Sequence, residues 1–361
     1  MPLSTALPAV AVIGAAPSPE LAGAANLALY SSMAVFTIAM LLYTAYLAAL
    51  GPVSREGQNG DRAQELVTVA ADALGAGVTR ADSASGGATG AAGGASAGAA
   101  ADEVAALAGP SLRARKLAGS AYGMTCLATL VLIGSVVLRG LAVMRPPWGN
   151  MFEFATAGAT AAAVAYCVLA RRNRWEWLGL FVVGPVLLTL GTALLAFYTE
   201  AAELMPALKS VWLVIHVTVA ILAVGVFVLG FSVGVVYLAR SHREASPPAR
   251  RTFWETLPSA ASLERTAYGL NMVGFILWTF TLVAGAIWAQ KAWGSYWTWD
   301  PKEVWTFVVW VVYATYMHAR ATAGWEPRKA MWIAIAGFVT VVLNFAVVNV
   351  FFVGQHSYSG L

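Results

Sequence analysis

Thirteen consecutive residues, 293–305, read W-G-S-Y-W-T-W-D-P-K-E-V-W and gather aromatic and charged side chains at high density. Five are large aromatics (Trp293, Tyr296, Trp297, Trp299 and Trp305), and three are charged: Asp300, Lys302 and Glu303. Flat aromatic faces around a glycine, Gly294, suit a large planar ligand that must be stacked on closely. A charged side chain at the centre of a bilayer costs about 2.5 kcal/mol or more even on lenient scales. The stretch therefore lies at or outside a membrane surface, or faces an internal cavity. A plainer reading is an interfacial aromatic belt of the kind that anchors many membrane proteins. This cluster is denser than a belt and is interleaved with charges. Asp300, Pro301 and Glu303 also fit a helix start, with a carboxylate cap, proline at the first helical position and an acidic first turn.

The elements that must position these groups follow from composition. Of 361 residues, 59% are hydrophobic and 11% are charged, against about 25% charged in soluble domains. The chain reads as an all-α polytopic membrane protein. The net charge of +4 gives no nucleic-acid footprint. The N-terminus lacks a basic region, so no cleaved signal peptide is expected. Cys126 and Cys167 lie in separate apolar runs and form neither a C-x-x-C nor a metal spacing.

Three regions are expected. Residues 1–50 contain a first span, from about 22 to 50. Residues 51–117 form a flexible cytoplasmic linker whose Gly/Ala/Ser run at 84–101 cannot bury enough apolar surface to offset its ordering entropy. Residues 118–361 form the main membrane domain, with further spans at 118–143, 151–170, 176–197, 211–239, 268–289, 304–319 and 331–353. Arginine and lysine cluster in alternate connections: Arg55 to Lys116; Arg171, Arg172 and Arg174; Arg240, Arg243, Arg250 and Arg251; Arg320, Arg328 and Lys329. The excess of positive charge assigns these to the cytoplasm. The count is then about eight spans with both termini outside, and 293–305 falls on the external face.

That topology sorts the four histidines. His216 lies about one turn inside the outer end of its span, and His356 just beyond the last span, so both share the face of the aromatic stretch. Two neutral imidazoles flanking an aromatic shelf are what a six-coordinate haem needs, one axial nitrogen from each side. His318 lies thirteen residues past Trp305, about 20 Å deeper at helical rise, toward the inner leaflet. An ionisable group there is a functional candidate by default. His242 belongs to a charged cytoplasmic loop.

The match W-G-x-x-W-x-W-D-x-K-E-x-W resembles the tryptophan-rich WWD signature of haem-handling proteins in cytochrome c maturation. The residues around it most resemble the CcsA/ResC-type subunit (called CcsB in some bacteria) of the System II cytochrome c synthase, over most of residues 118–361. The resemblance implies that His216, in L-K-S-V-W-L-V-I-H-V, and His356, in G-Q-H-S-Y, are the external axial ligands of haem b. It implies that Trp293, Gly294, Tyr296, Trp297, Trp299, Asp300 and Trp305 belong to the haem-holding loop. His318, in Y-M-H-A-R, is similar to the histidine of a second haem position within the membrane, completed in the family by a histidine of a CcsB/ResB-type partner. Trp148, Gly149, Asn150 and Glu153 are similar to a further family segment of no assigned role; by itself the segment reads as a turn with a helix start capped by Asn150. Lys302 either meets a haem propionate or joins an internal ion pair.

The implied function is a haem lyase subunit in the plasma membrane. Haem moves outward to the His216/His356 site and is presented with its vinyl groups exposed to a reduced C-x-x-C-H segment of apocytochrome c, kept reduced by a thiol-reducing pathway. Catalysis is then mainly positioning, worth about 7–11 kcal/mol in the best intramolecular cases. A haem transporter or chaperone without synthase activity would use the same ligands. A structural membrane subunit or ion carrier would use the tryptophan cluster only as an anchor; a carrier would also show ionisable groups deep in several spans, and only His318 clearly qualifies.

Overall fold

The computed structural model describes residues 18–50, 111–202, 208–245 and 253–356. Among these it is helical throughout, with no strand. In chain order the helices are α1 (Pro19–Leu50), α2 (Leu112–Ala142), α3 (Met151–Asn173), α4 (Gly179–Ala196, entered through a 3-10 turn at Glu176–Leu178), α5 (Val211–Ala245), α6 (Ala260–Trp293), α7 (Pro301–Ala321) and α8 (Pro327–Leu343). A π turn (Asn344–Val348) and a last helical turn (Asn349–Phe351) extend α8.

Seven of these segments are long and apolar enough to cross a membrane, with α8 counted through Phe351. The exception is α7, of similar length, which carries Lys302, Glu303, His318 and Arg320. Several expected bounds shift. The helix expected from 118 begins at Leu112, capped by the Ser111 hydroxyl, so residues 112–117 of the expected linker are helical. Residues 51–110 of that linker lie outside the described residues. The helix expected at 268–289 runs to Trp293, where Gly294 closes it in the left-handed region (φ 77°) that a side chain disfavours. The loop is therefore only 294–300, and Trp293 and Trp305 sit on flanking helices.

Packing follows membrane rules, in which close approach of small residues and buried polar contacts replace the hydrophobic drive. Helix α1 buries Ala25, Leu29, Ser32, Phe36, Ala39 and Tyr43 along one stripe against α2, whose Ser135 hydroxyl donates to the Ala25 carbonyl. Helix α5 is central. Its Phe227 stacks on Tyr313 of α7 at 4.0 Å between ring centres, and its Phe231 stacks on Phe338 of α8.

The turns between α2 and α3 and between α6 and α7, the start of α5 and the end of α8 gather at one end of the bundle. Arg171, Arg172, Arg240, Arg243, Arg320, Arg328 and Lys329 lie on the helix ends that point the other way.

Candidate functional site

The ends of α5, α6, α7 and α8 and the turn before α3 surround one cavity. His216, His356, Tyr296 and Trp297 line it, together with Lys302 and Glu303. Two histidines 140 positions apart in sequence thus face one space.

Each imidazole is held by its Nδ1. His216 Nδ1 meets the backbone carbonyl of Thr281, on α6, at 3.0 Å. A carbonyl only accepts, so Nδ1 carries the proton and Nε2 keeps a free lone pair. The approach depends on Gly285, one turn above that carbonyl. A Cβ there would lie 2.8 Å from His216 Cε1 and 2.9 Å from Nδ1. The ring also runs nearly parallel to Trp288, at 8° and 6.0 Å between centres.

His356 Nδ1 lies 2.8 Å from Asp300 Oδ2. Asp300 also accepts from the Gln355 amide at 2.6 Å and from the Lys302 amide at 3.1 Å. The same carboxylate thus caps α7 and fastens the segment that carries His356. Burial alone would raise the Asp300 carboxyl, but the hydrogen bond from His356 and those from the Gln355 and Lys302 amides outweigh it and hold the group below the usual aspartate value. The cap expected from Asp300-Pro301-x-Glu303 is formed: Glu303 Oε2 accepts from the Asp300 amide at 3.1 Å and the Thr298 amide at 2.8 Å. A carboxylate behind a metal-binding imidazole fixes its tautomer and raises its basicity. The two histidines are therefore supported unequally, His356 by a carboxylate and His216 by a carbonyl.

The aromatic stretch divides. Trp293 packs edge-on against His356 at 4.9 Å and against Trp288 at 4.8 Å. Tyr296 and Trp297 face the cavity, and Tyr296 remains 60% exposed. Trp299 projects outward, 77% exposed, with a left-handed backbone (φ 62°) that is rare for a bulky residue and clusters at functional loops. Trp305 is half-buried on α7, away from the cavity lining. Gly294 closes α6 and Asp300 stands behind His356. His318 is apart from all of these, on an exposed face near the far end of α7, its Nε2 3.4 Å from the Thr322 hydroxyl of the same chain segment.

Trp288, Thr281, Gly285 and Asn344 also line the cavity and carried no sequence signal, being single residues within apolar spans. Trp148, Gly149 and Asn150 line it as well. The fully buried Glu153 explains their placement. Glu153 accepts from Arg139 Nε at 3.0 Å, from Arg145 Nη1 at 2.7 Å and from the Gly149 amide at 2.8 Å. Arg139 also donates to the Thr199 carbonyl and Arg145 to that of Ala202, which ties the α2–α3 turn to the end of α4. Among the described residues no cluster of three His, Cys, Asp or Glu forms a metal cage of its own.

A family model described as cytochrome C assembly protein matches residues 148–356, more than half of the chain. The chain is 32% identical over 263 residues to the cytochrome c biogenesis protein CcsA of Prochlorococcus marinus (strain MIT 9313), covering 65% of this chain and 82% of that protein. It is 30% identical over 300 residues to the protein of the same name from Gloeobacter violaceus, covering 66% and 86%. It is 31% identical over 265 residues to that of Guillardia theta, covering 66% and 85%.

Proposed function

Because the chain belongs to the cytochrome c assembly protein family, and so to cytochrome c biogenesis, we propose that it holds haem between His216 and His356 and presents it for covalent attachment to apocytochrome c. One observation carries the reading. Two imidazoles face one cavity, and each has its Nδ1 occupied by an acceptor, which leaves both Nε2 lone pairs free for an iron. The cavity also holds buried polar atoms without a partner, Trp288 Nε1, Thr281 Oγ1 and Asn344 Oδ1, and buried polar groups are nearly always satisfied. A porphyrin with polar substituents and a central iron that takes imidazole ligands fits that donor set.

Haem is the substrate. The residues bind it, orient it and keep one edge accessible at the mouth, where the exposed Tyr296 lies. A reduced C-x-x-C-H segment docks there. Each thiol adds across a vinyl group: a C–S bond forms, the thiol hydrogen goes to the other vinyl carbon, and no net oxidant is needed. The histidine of the segment then replaces one axial imidazole. The chain supplies position, and needs neither a nucleophile nor a base of its own.

The basic residues at the far end of the bundle favour orienting that end to the cytoplasm, with the cavity on the extracytoplasmic face of the plasma membrane and α7 as an eighth crossing. His318 is exposed on α7, which suits a second haem position completed by a histidine of a CcsB/ResB-type partner. The test is co-production with that partner and a reporter apocytochrome c. Covalently attached haem, detected on a denaturing gel, is expected to fall at least tenfold in His356→Ala and His216→Ala. Undiminished attachment in both variants would overturn the assignment.

A further inference from the structure

Lys302 is the one cationic side chain among the described residues that line the cavity. It stands in the first turn of α7, and its Nζ donates to the Asn344 carbonyl at 2.7 Å, where α8 opens into its π turn. Asn344 precedes the helical end at Phe351 by two turns, so the amino group points about 10 Å inward. An ammonium has three donors, and a backbone carbonyl does not neutralise its charge. The nearest carboxylates are committed elsewhere. Asp300 receives His356 and the Gln355 and Lys302 amides, and Glu303 receives the Thr298 and Asp300 amides. Trp288 Nε1, a buried donor, and Thr281 Oγ1 are left unpartnered on the same cavity. The inner part of the cavity therefore offers the Lys302 amino group and the spare Thr281 hydroxyl, while Trp288, Trp293, Tyr296 and Trp297 make the side toward the mouth aromatic.

We propose that Lys302 anchors a carboxylate of the porphyrin, holding the acidic edge of the substrate inward and turning the opposite edge toward the mouth. The proposal rests on the haem reading above and adds the orientation to it. In protoporphyrin IX the two carboxylates share one edge and the two vinyl groups lie away from it. A cation on the inner side thus selects which groups an incoming thiol meets. Lys302 touches no reacting atom and acts as an orienting residue.

The test titrates the full-length protein in detergent with iron protoporphyrin IX and with its dimethyl ester, in which both carboxylates are capped, following the Soret band. The wild type is expected to bind the free acid about tenfold or more tightly than the ester, the scale of a charge-assisted hydrogen bond. Lys302→Met is expected to bind the two within about twofold, and Lys302→Gln, which keeps a donor for Asn344, to do the same. Lys302→Arg is expected to keep the preference, since the charge remains. All are expected to retain the bis-imidazole spectrum. Equal binding of acid and ester by the wild type, or an undiminished preference in both Lys302→Met and Lys302→Gln, would overturn the proposal and leave the haem reading standing. If neither porphyrin binds the wild type, the haem reading falls and takes the proposal with it.

Discussion

Replacing Asp300 tests how the site is held together. Its carboxylate collects three N–H donors, from His356, Gln355 and Lys302, at 2.8, 2.6 and 3.1 Å. Asn caps a helix as well as Asp does, so Asp300→Asn preserves the start of α7. It turns one acceptor oxygen into a donor, however, and cannot serve His356 and the Gln355 amide together. Loss of one charge-assisted bond costs about 1.5–3 kcal/mol, and loss of a carboxylate behind a metal-binding imidazole lowers metal affinity about 10–100-fold. Asp300→Ala removes the cap too, a further cost of about 1 kcal/mol. Haem affinity, read from Soret titrations, is expected to fall about 10–100-fold in Asp300→Asn and at least as far in Asp300→Ala. Imidazole added to the buffer is expected to restore the low-spin spectrum by standing in for a loosened His356. Wild-type affinity in both variants would refute the reasoning, since His356 would then be held by something other than Asp300.

Gly285→Val is expected to drive His216 off the Thr281 carbonyl, because even a Cβ would sit 2.8 Å from its ring. Its haem spectrum should match that of His216→Ala, whereas Gly269→Val, where nothing lies within 4 Å of a Cβ, should keep the wild-type spectrum. Glu153→Ala leaves Arg139 and Arg145 without their shared carboxylate, which costs about 3–5 kcal/mol for a buried pair; the yield of monodisperse protein in detergent is expected to drop sharply, and a normal yield would count against the clamp. The Asp300 carboxyl lies below its ordinary value, so its link to His356 is fully present above the unfolded aspartate pKa of about 3.9 and is lost as pH falls through the lower folded value. Protease cleavage of the segment after Phe352 is therefore expected to be flat from pH 5 to 8 and to rise only in stronger acid; a rise already between pH 6 and 5 would contradict this.

Much of this arrangement is legible in the sequence, for identifiable reasons. The spacing Asp300-Pro301-x-Glu303 encodes a local helix start, and local signals survive folding. Counting spans was enough to put His216 and His356 at the same end, because membrane helices alternate in direction. The contact between Asp300 and His356 joins positions 56 apart and has no local signature. Trp288 was silent for another reason: one tryptophan within an apolar span looks like any other core residue until the imidazole beside it is known. The division of the aromatic stretch was hidden because it depends on the helix ends at Trp293 and Pro301 and on the left-handed turn at Trp299. The role of 145–154 emerged only with the buried Arg139, which the sequence shows as one cation at the end of an apolar helix.

The central claim is that one iron is bound by His216 and His356 together. Its most direct test is the reduced-minus-oxidised absorbance spectrum of the purified protein, co-produced with a CcsB/ResB-type partner, for the wild type, His216→Ala and His356→Ala. The account predicts a low-spin bis-imidazole haem in the wild type that weakens in each variant and returns when imidazole is added. A well-folded wild type without haem, or a spectrum identical in all three proteins, would contradict it and return the tryptophan-rich loop to the role of a membrane anchor.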